Sequence, residues 1–110
     1  MELYSEYIKE RESAHIIYDN KSFITYKYLK DNIVMILDIY VNKESRKNNI
    51  GSIQVDKVLK EAKENDCVFC IASVSPSANN ADESRQFVEK CGFKYTKNKD
   101  DLEWYCKERV

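Results

Sequence analysis

Residues 33–52 read IVMILDIYVNKESRKNNIGS, and the fold is decided by how that stretch divides. Positions 33–41 are apolar except for Asp38, the pattern of a central strand covered on both faces. Residues 42–49 are polar. From about residue 51 to 64 the period changes, with Val55, Val58, Leu59 and Ala62 at i, i+3, i+4 and i+7. That spacing predicts an amphipathic helix whose other face carries Lys57, Lys60, Glu61 and Lys63 to water.

Toward the N-terminus, residues 14–18 and 22–29 are rich in Ile, Tyr, Phe and Thr and flank Asp19-Asn20-Lys21, which reads as two strands joined by a tight turn. The residues before Ala14 fit a short strand or a helix equally well. Toward the C-terminus, residues 67–74 form a further buried strand ended by Ser75-Pro76. Asn80-Ala81-Asp82-Glu83 has the form of an N-cap with an acid at N3, opening a short helix with Phe87, Val88 and Cys91 on its apolar side and Gly92 as its stop. Residues 93–97 and 102–107 make two last strands around the turn 98–101. The order β-β-β-α-β-α-β-β is that of an α/β sheet with helices after its third and fourth strands.

Composition narrows the function. A chain of 110 residues with 43% hydrophobic residues supports one core, so residues 1–110 are read as a single compact domain. A formal charge of −1 lacks the basic excess expected of a nucleic-acid or anionic-membrane binder. No apolar run is long enough to span a bilayer, and the acid-bearing start MELYSEYIKERES has no apolar signal core; the expected compartment is the cytoplasm. Cys67 and Cys70 have CxxC spacing, but there is no second CxxC and His15 is the single histidine. Within a strand, residues three apart also point to opposite faces, so Cys67, Cys70, Cys91 and Cys106 are read as free, mostly buried thiols, and no metal is expected.

Chemistry is most readable at Arg46-Lys47-Asn48-Asn49-Ile50-Gly51-Ser52. A strand stops, a basic loop turns and a helix begins, so unpaired backbone N–H groups and the positive end of the helix dipole converge on one point. That is the construction of an anion site, with Arg46 and Lys47 adding charge. The same residues also fit an ordinary strand-to-helix turn with solvated bases. They match neither GxxxxGK[ST] nor GxGxxG.

Residues 41–52 resemble the acetyl-coenzyme A loop of the GNAT superfamily of N-acetyltransferases, whose signature is Q/R-x-x-G-x-G/A. Arg46 and Gly51 fall on its first and last positions, and Asn49 replaces the middle Gly. Asn tolerates positive φ better than most residues. Phe87-Val88-Glu89-Lys90-Cys91-Gly92-Phe93 is similar to the family's fYeklGF segment. The resemblance covers about residues 14–107 and implies a mixed, mostly antiparallel central sheet flanked by helices.

The resemblance also implies a site. Backbone groups of Ile39, Tyr40 and Val41, on a strand that splays from its neighbour, would pair with the pantetheine arm. The Ile39 N–H would polarise the thioester carbonyl as an oxyanion donor. Arg46 and the amides of Lys47, Asn48, Asn49, Ile50, Gly51 and Ser52 would hold the pyrophosphate, with Asn80 near the family's cofactor-contacting asparagine. An amine acceptor must lose a proton, and Asp38 is the candidate base; a structurally paired or merely solvated carboxylate is the alternative. The family's general-acid Tyr falls on Val88, so Ser84, one turn earlier, or Tyr95 would have to substitute.

His15 reads as a surface or hydrogen-bonded residue, and Tyr26 and Tyr28 as packing residues that could otherwise line an acceptor groove. The expected activity is N-acetyl transfer from acetyl-coenzyme A to a primary amine: a protein or peptide lysine, an N-terminal amine, or a small amine. The short region before Ala14 would leave the acceptor side open; alternatively a homodimer closes it, with the strand ending at Lys107 as the exchange point. The competing expectation is a non-catalytic binding or regulatory module that keeps this fold.

Overall fold

The computed structural model describes residues 2–46 and 48–110. Its elements are α1 (Glu2–Glu12), β1 (His15–Tyr18), β2 (Ser22–Leu29), β3 (Ile33–Val41), a 3-10 turn (Lys43–Ser45), α2 (Ile50–Glu64), β4 (Phe69–Val74), α3 (Ala81–Lys90), β5 (Lys94–Lys99) and β6 (Leu102–Glu108). The expected order of strands and helices is present, and the undecided N-terminal segment is a helix. Among the described residues no helix is long and apolar enough to cross a membrane.

The six strands lie in the order β1-β2-β3-β4-β6-β5, antiparallel except for the β3–β4 pair. Asp19 makes the first turn: its Oδ1 accepts from the N–H groups of Lys21 (2.7 Å) and Ser22 (2.8 Å). Asp100 and Asp101, both at positive φ (56° and 63°), make the β5–β6 hairpin turn. β6 is paired on both sides, whereas the outer edge of β5 carries Lys94, Lys97 and Lys99, charges that discourage edge-to-edge pairing.

Register places Ile24, Tyr26, Val34, Ile36, Ile39, Cys70, Ala72 and Tyr105 on one face of the sheet. There they pack with Val55, Val58, Leu59 and Ala62 of α2 and with Phe87, Val88 and Cys91 of α3, forming the core. Full burial of each larger aliphatic contributes roughly 1.5–3 kcal/mol. β3 is therefore covered on one face, not two: Leu37, Asp38 and Tyr40 are exposed. Ile8 and Ala14 are buried apart from this cluster.

The cysteine geometry also differs from expectation. β4 begins at Phe69, so alternation does not govern Cys67, and both Cys67 and Cys70 turn into the core. All four cysteines are free. Asn80 occupies the N-cap position of α3 but caps it through its backbone alone: its carbonyl accepts from Ser84 N–H (3.0 Å), and its side chain makes no cap bond. Gly92 does end α3, at φ 93°, with Gly92 N–H donating to Glu89 O and Phe93 N–H to Val88 O, both at 3.0 Å. That is a Schellman motif.

Candidate active site

β3 and β4 stay together only from Ile33↔Phe69 to Met35↔Ile71; beyond that both strands continue unpaired with each other. The parting coincides with a bulge. Thr25 is opposite Asp38 and Tyr26 opposite Ile36, which leaves Leu37 as the extra residue of β3. A bulge bends its strand and increases the local twist, here on the side where β3 leaves β4. The opening between them is a cavity of about 440 Å³, floored by α3 and the start of α2.

The bulge also fixes which backbone groups face that opening. Asn42 N–H donates to Lys21 O (2.7 Å) and Asp38 N–H to Thr25 Oγ1 (3.1 Å), so residues 38, 40 and 42 turn their N–H groups toward β2. By alternation, the N–H and C=O of Ile39 and Val41 face the cavity. Val41 O accepts from Arg46 Nε (3.1 Å), consistent with that direction. Tyr40, expected to contribute backbone groups, turns its backbone to Phe23 on β2; its ring stacks with Phe23 at 5.9 Å and lies 5.7 Å beneath the Arg46 guanidinium.

At the outer end, the cavity meets a second one of about 220 Å³, lined by Arg46, Asn49, Ile50, Gly51, Ser52 and Lys90 among others. Asn49, at φ 59°, takes the left-handed conformation that lets the chain turn into α2. The first intrahelical bond of α2 runs from Ile53 N–H to Asn49 O (3.0 Å), so the N–H groups of Ile50, Gly51 and Ser52 have no partner within the helix. Asn49 does not cap them, because its Oδ1 accepts from Lys90 Nζ instead (3.3 Å). The first turn of α2 holds no acid. The result is an uncapped helix N-terminus flanked by Arg46 and Lys90, suited to an anion. Asn48 is exposed and lines neither cavity, and Lys47 lies outside the described residues.

Among the candidate catalytic residues, Asp38 and Ser84 line the inner cavity, as do Val88 and Asn80. Asp38 reaches it from β3 and Ser84 from the first turn of α3, with Val88 one turn further on. Tyr95 does not reach it: it stands 53% exposed on the edge strand β5, packs against Tyr105 and donates to Asn98 Oδ1 (2.9 Å). Tyr26 and Tyr28 stack with His15 away from both cavities, and Tyr26 OH donates to Glu61.

Glu83, Lys90 and Cys91 also line these cavities, a place that the sequence reading did not give them. The Cys91 thiol lies 3.9 Å from Ser52 Oγ, and burial pushes its pKa up, with only partial offset from Ser52, so it is a neutral thiol at pH 7. α3 is clamped to the sheet by Arg85, whose Nε and Nη2 donate to Glu103 Oε1 (2.7 Å) and Oε2 (3.0 Å) while Nη1 donates to Asp82 (2.6 Å). This two-pronged bond holds the Glu103 carboxyl below the usual range.

Comparison with known proteins bears on this architecture. The model of the acetyltransferase (GNAT) family matches residues 3–93. Among solved structures, a protein assigned as a GNAT-family acetyltransferase from Desulfovibrio desulfuricans has a TM-score of 0.79 at 18% identity, over 97% of this chain and 77% of its own. The PaiA N-acetyltransferase of Thermoplasma acidophilum, in complex with coenzyme A, gives 0.78 at 19%, over 96% and 69%. A Bacillus subtilis acetyltransferase in complex with CoA gives 0.73 at 12%, over 96% and 84%. No curated protein matches the chain in sequence. With its family model spanning all but the last two strands, and with the splayed sheet and helix-bounded cleft in place, the chain belongs to the GNAT family of acetyltransferases.

Proposed function

We propose that the chain moves an acetyl group from acetyl-coenzyme A to a primary amine, in the cleft between β3 and β4. The observation that carries this reading is the opening of the splayed strands onto the uncapped N-terminus of α2. The residues fit the cosubstrate. The cavity-facing backbone of Ile39 and the Val41 N–H offer a strand edge for the amides of a pantetheine arm, while Val41 O is engaged by Arg46. Arg46 and the first N–H groups of α2 offer charge and donors to a pyrophosphate.

Acetyl-coenzyme A supplies the activated acyl thioester. The Ile39 N–H donates to the carbonyl oxygen as negative charge builds there. Asp38, at the mouth of the cleft with no hydrogen-bond or ion-pair partner for its carboxylate among the described residues, takes the proton the amine must lose before it attacks. The Ser84 hydroxyl is the donor available on α3 to return a proton to the departing sulfur, since Val88 has none to give.

Calorimetric titration with acetyl-coenzyme A tests the reading, using the wild type and Gly51→Glu, which sets bulk and negative charge at the α2 N-terminus. Micromolar binding lost in the variant supports it, and an amine panel then identifies acceptors. Absence of binding in the wild type sinks it. Binding without turnover on any amine would leave the non-catalytic module as the better description.

A further inference from the structure

We infer that two copies of this chain dock face to face about a two-fold axis. α1 of each copy lies on the other's sheet, over β4 and β6, on the side turned away from α2 and α3.

Register defines the receiving face. Met35 stands opposite Ile71, Ile71 opposite Cys106, Ile33 opposite Phe69, and Ser73 opposite Trp104. These positions alternate with Val34, Cys70, Ala72 and Tyr105 of the core, so their side chains point to the other side of the sheet. The six apolar ones stand outside the core cluster and none of them is buried. They form an apolar strip across three adjacent strands. The chain's own α1 packs on β1, three strands from β4, which leaves the strip half-exposed.

α1 carries the complementary surface. Ile8 is its buried residue, whereas Leu3, Tyr4 and Tyr7 are 80%, 48% and 51% exposed. Leu3 and Tyr7 lie roughly a third of a turn round the helix from Ile8, so they are turned away from the contact it makes. Charge matches the two surfaces as well. α1 has Glu2, Glu6, Glu10 and Glu12 against Lys9 and Arg11. The strip is bordered on β5 by Lys94, Lys97 and Lys99, which stand opposite Cys106, Trp104 and Leu102 on the same face. An acidic helix with an apolar stripe fits a lysine-bordered apolar strip.

The area also calls for a partner. The chain exposes 7815 Å², whereas a folded monomer of its mass exposes about 6300 Å², a surplus of roughly 1500 Å². A standard interface takes about 800 Å² from each side, so the surplus is large enough to supply one. Ser73, the neighbour of Trp104, lines the cleft, and a helix laid over Trp104 therefore also walls that side of the cleft.

Trp104 is the single tryptophan and lies within the strip, so its emission reports whether the strip is covered. Sedimentation and iodide quenching are followed from about 1 to 100 µM, a range that brackets a micromolar Kd. The mass should double with rising concentration while quenching of Trp104 falls several-fold. Leu3→Asp combined with Tyr7→Asp should stay monomeric, with the wild-type thermal midpoint at the lowest concentration, since both side chains are exposed. Lys97→Glu with Lys99→Glu should weaken association about tenfold, and adding Glu2→Lys with Glu6→Lys should restore it. A wild type that stays monomeric throughout would overturn the inference and leave the strip to a different partner. A dimer in which Trp104 remains as quenchable as in the monomer would overturn it too, as would undiminished association of the Leu3→Asp, Tyr7→Asp variant.

Discussion

Gly51 stands directly against the ring of Phe87: a Cβ on Gly51 would lie 3.0 Å from Phe87 Cε1 and 3.2 Å from Cζ. The glycine therefore eases the approach of α3 to α2, and it is not demanded by its backbone angle. Phe87 lines both cavities, so whatever displaces its ring changes their junction. For Gly51→Ala we expect a small net change in stability, within about 1 kcal/mol, as helix propensity gained offsets crowding. Affinity for acetyl-coenzyme A should fall several-fold. Thermal melts beside calorimetry check it; an unchanged affinity would show that the ring yields without disturbing the cleft.

Asp38 and Ser84 should separate binding from chemistry. Asp38→Asn is expected to lower kcat by about 10²–10⁴-fold at neutral pH, the usual contribution of a positioned base, while leaving the Kd for acetyl-coenzyme A within about twofold. Ser84→Ala should lower kcat only modestly, because a thiolate leaves without much help. Steady-state rates with the best amine of the panel decide both, and full activity in Asp38→Asn would remove it from the mechanism.

Gln54 is 1% exposed, donates through Nε2 to Ser22 Oγ (2.7 Å), and leaves its Oε1 without a partner among the described residues. This bond ties α2 to the start of β2, which itself pairs with the end of β3 at Val41. Gln54→Met should cost about 1 kcal/mol or less, since it removes the donor and the unsatisfied oxygen together. Gln54→Glu should cost several kcal/mol at pH 8 and less at pH 5, because burial favours the protonated acid. Urea melts at the two pH values measure the difference; equal loss at both would mean that water reaches the site.

Arg85 holds the Glu103 carboxyl below its unfolded value, so the pair's contribution is present above about pH 4.3 and is lost as pH falls through the lower folded pKa. Glu103→Gln should therefore be less stable than wild type at pH 7 and converge with it in acid. The measurement is the thermal midpoint from pH 7 to pH 3. A gap that stays constant across that range would show that the clamp acts through packing alone.

Much of this architecture was legible because its signals are local. The change from period 2 to period 3.6 across residues 33–64 located β3 and α2, and Gly92 with its neighbours located the end of α3. The bulge at Leu37 was hidden by uniform hydrophobicity: in a run where nearly every residue is apolar, a slipped register leaves no trace in the pattern. The same uniformity suggested two covered faces where there is one. The places of Glu83, Lys90 and Cys91 at the cleft were missed because they depend on how α3 crosses α2, a tertiary matter decided where Phe87 meets Gly51. Tyr95 was misjudged for the opposite reason. It is near Phe93 in sequence, but the chain has by then turned onto the edge strand.

Leu37 carries a consequence at the level of the gene. Because Leu37 is the extra residue, removing this one codon would leave Asp38 opposite Thr25 and every later position of β3 on the face it now occupies, and would take out only the bend. Side-chain faces and pairing with β2 would survive, and what the strand would lose is the local bend and extra twist that coincide with its departure from β4. Three nucleotides thus set the curvature of this strand without choosing which of its side chains enter the core.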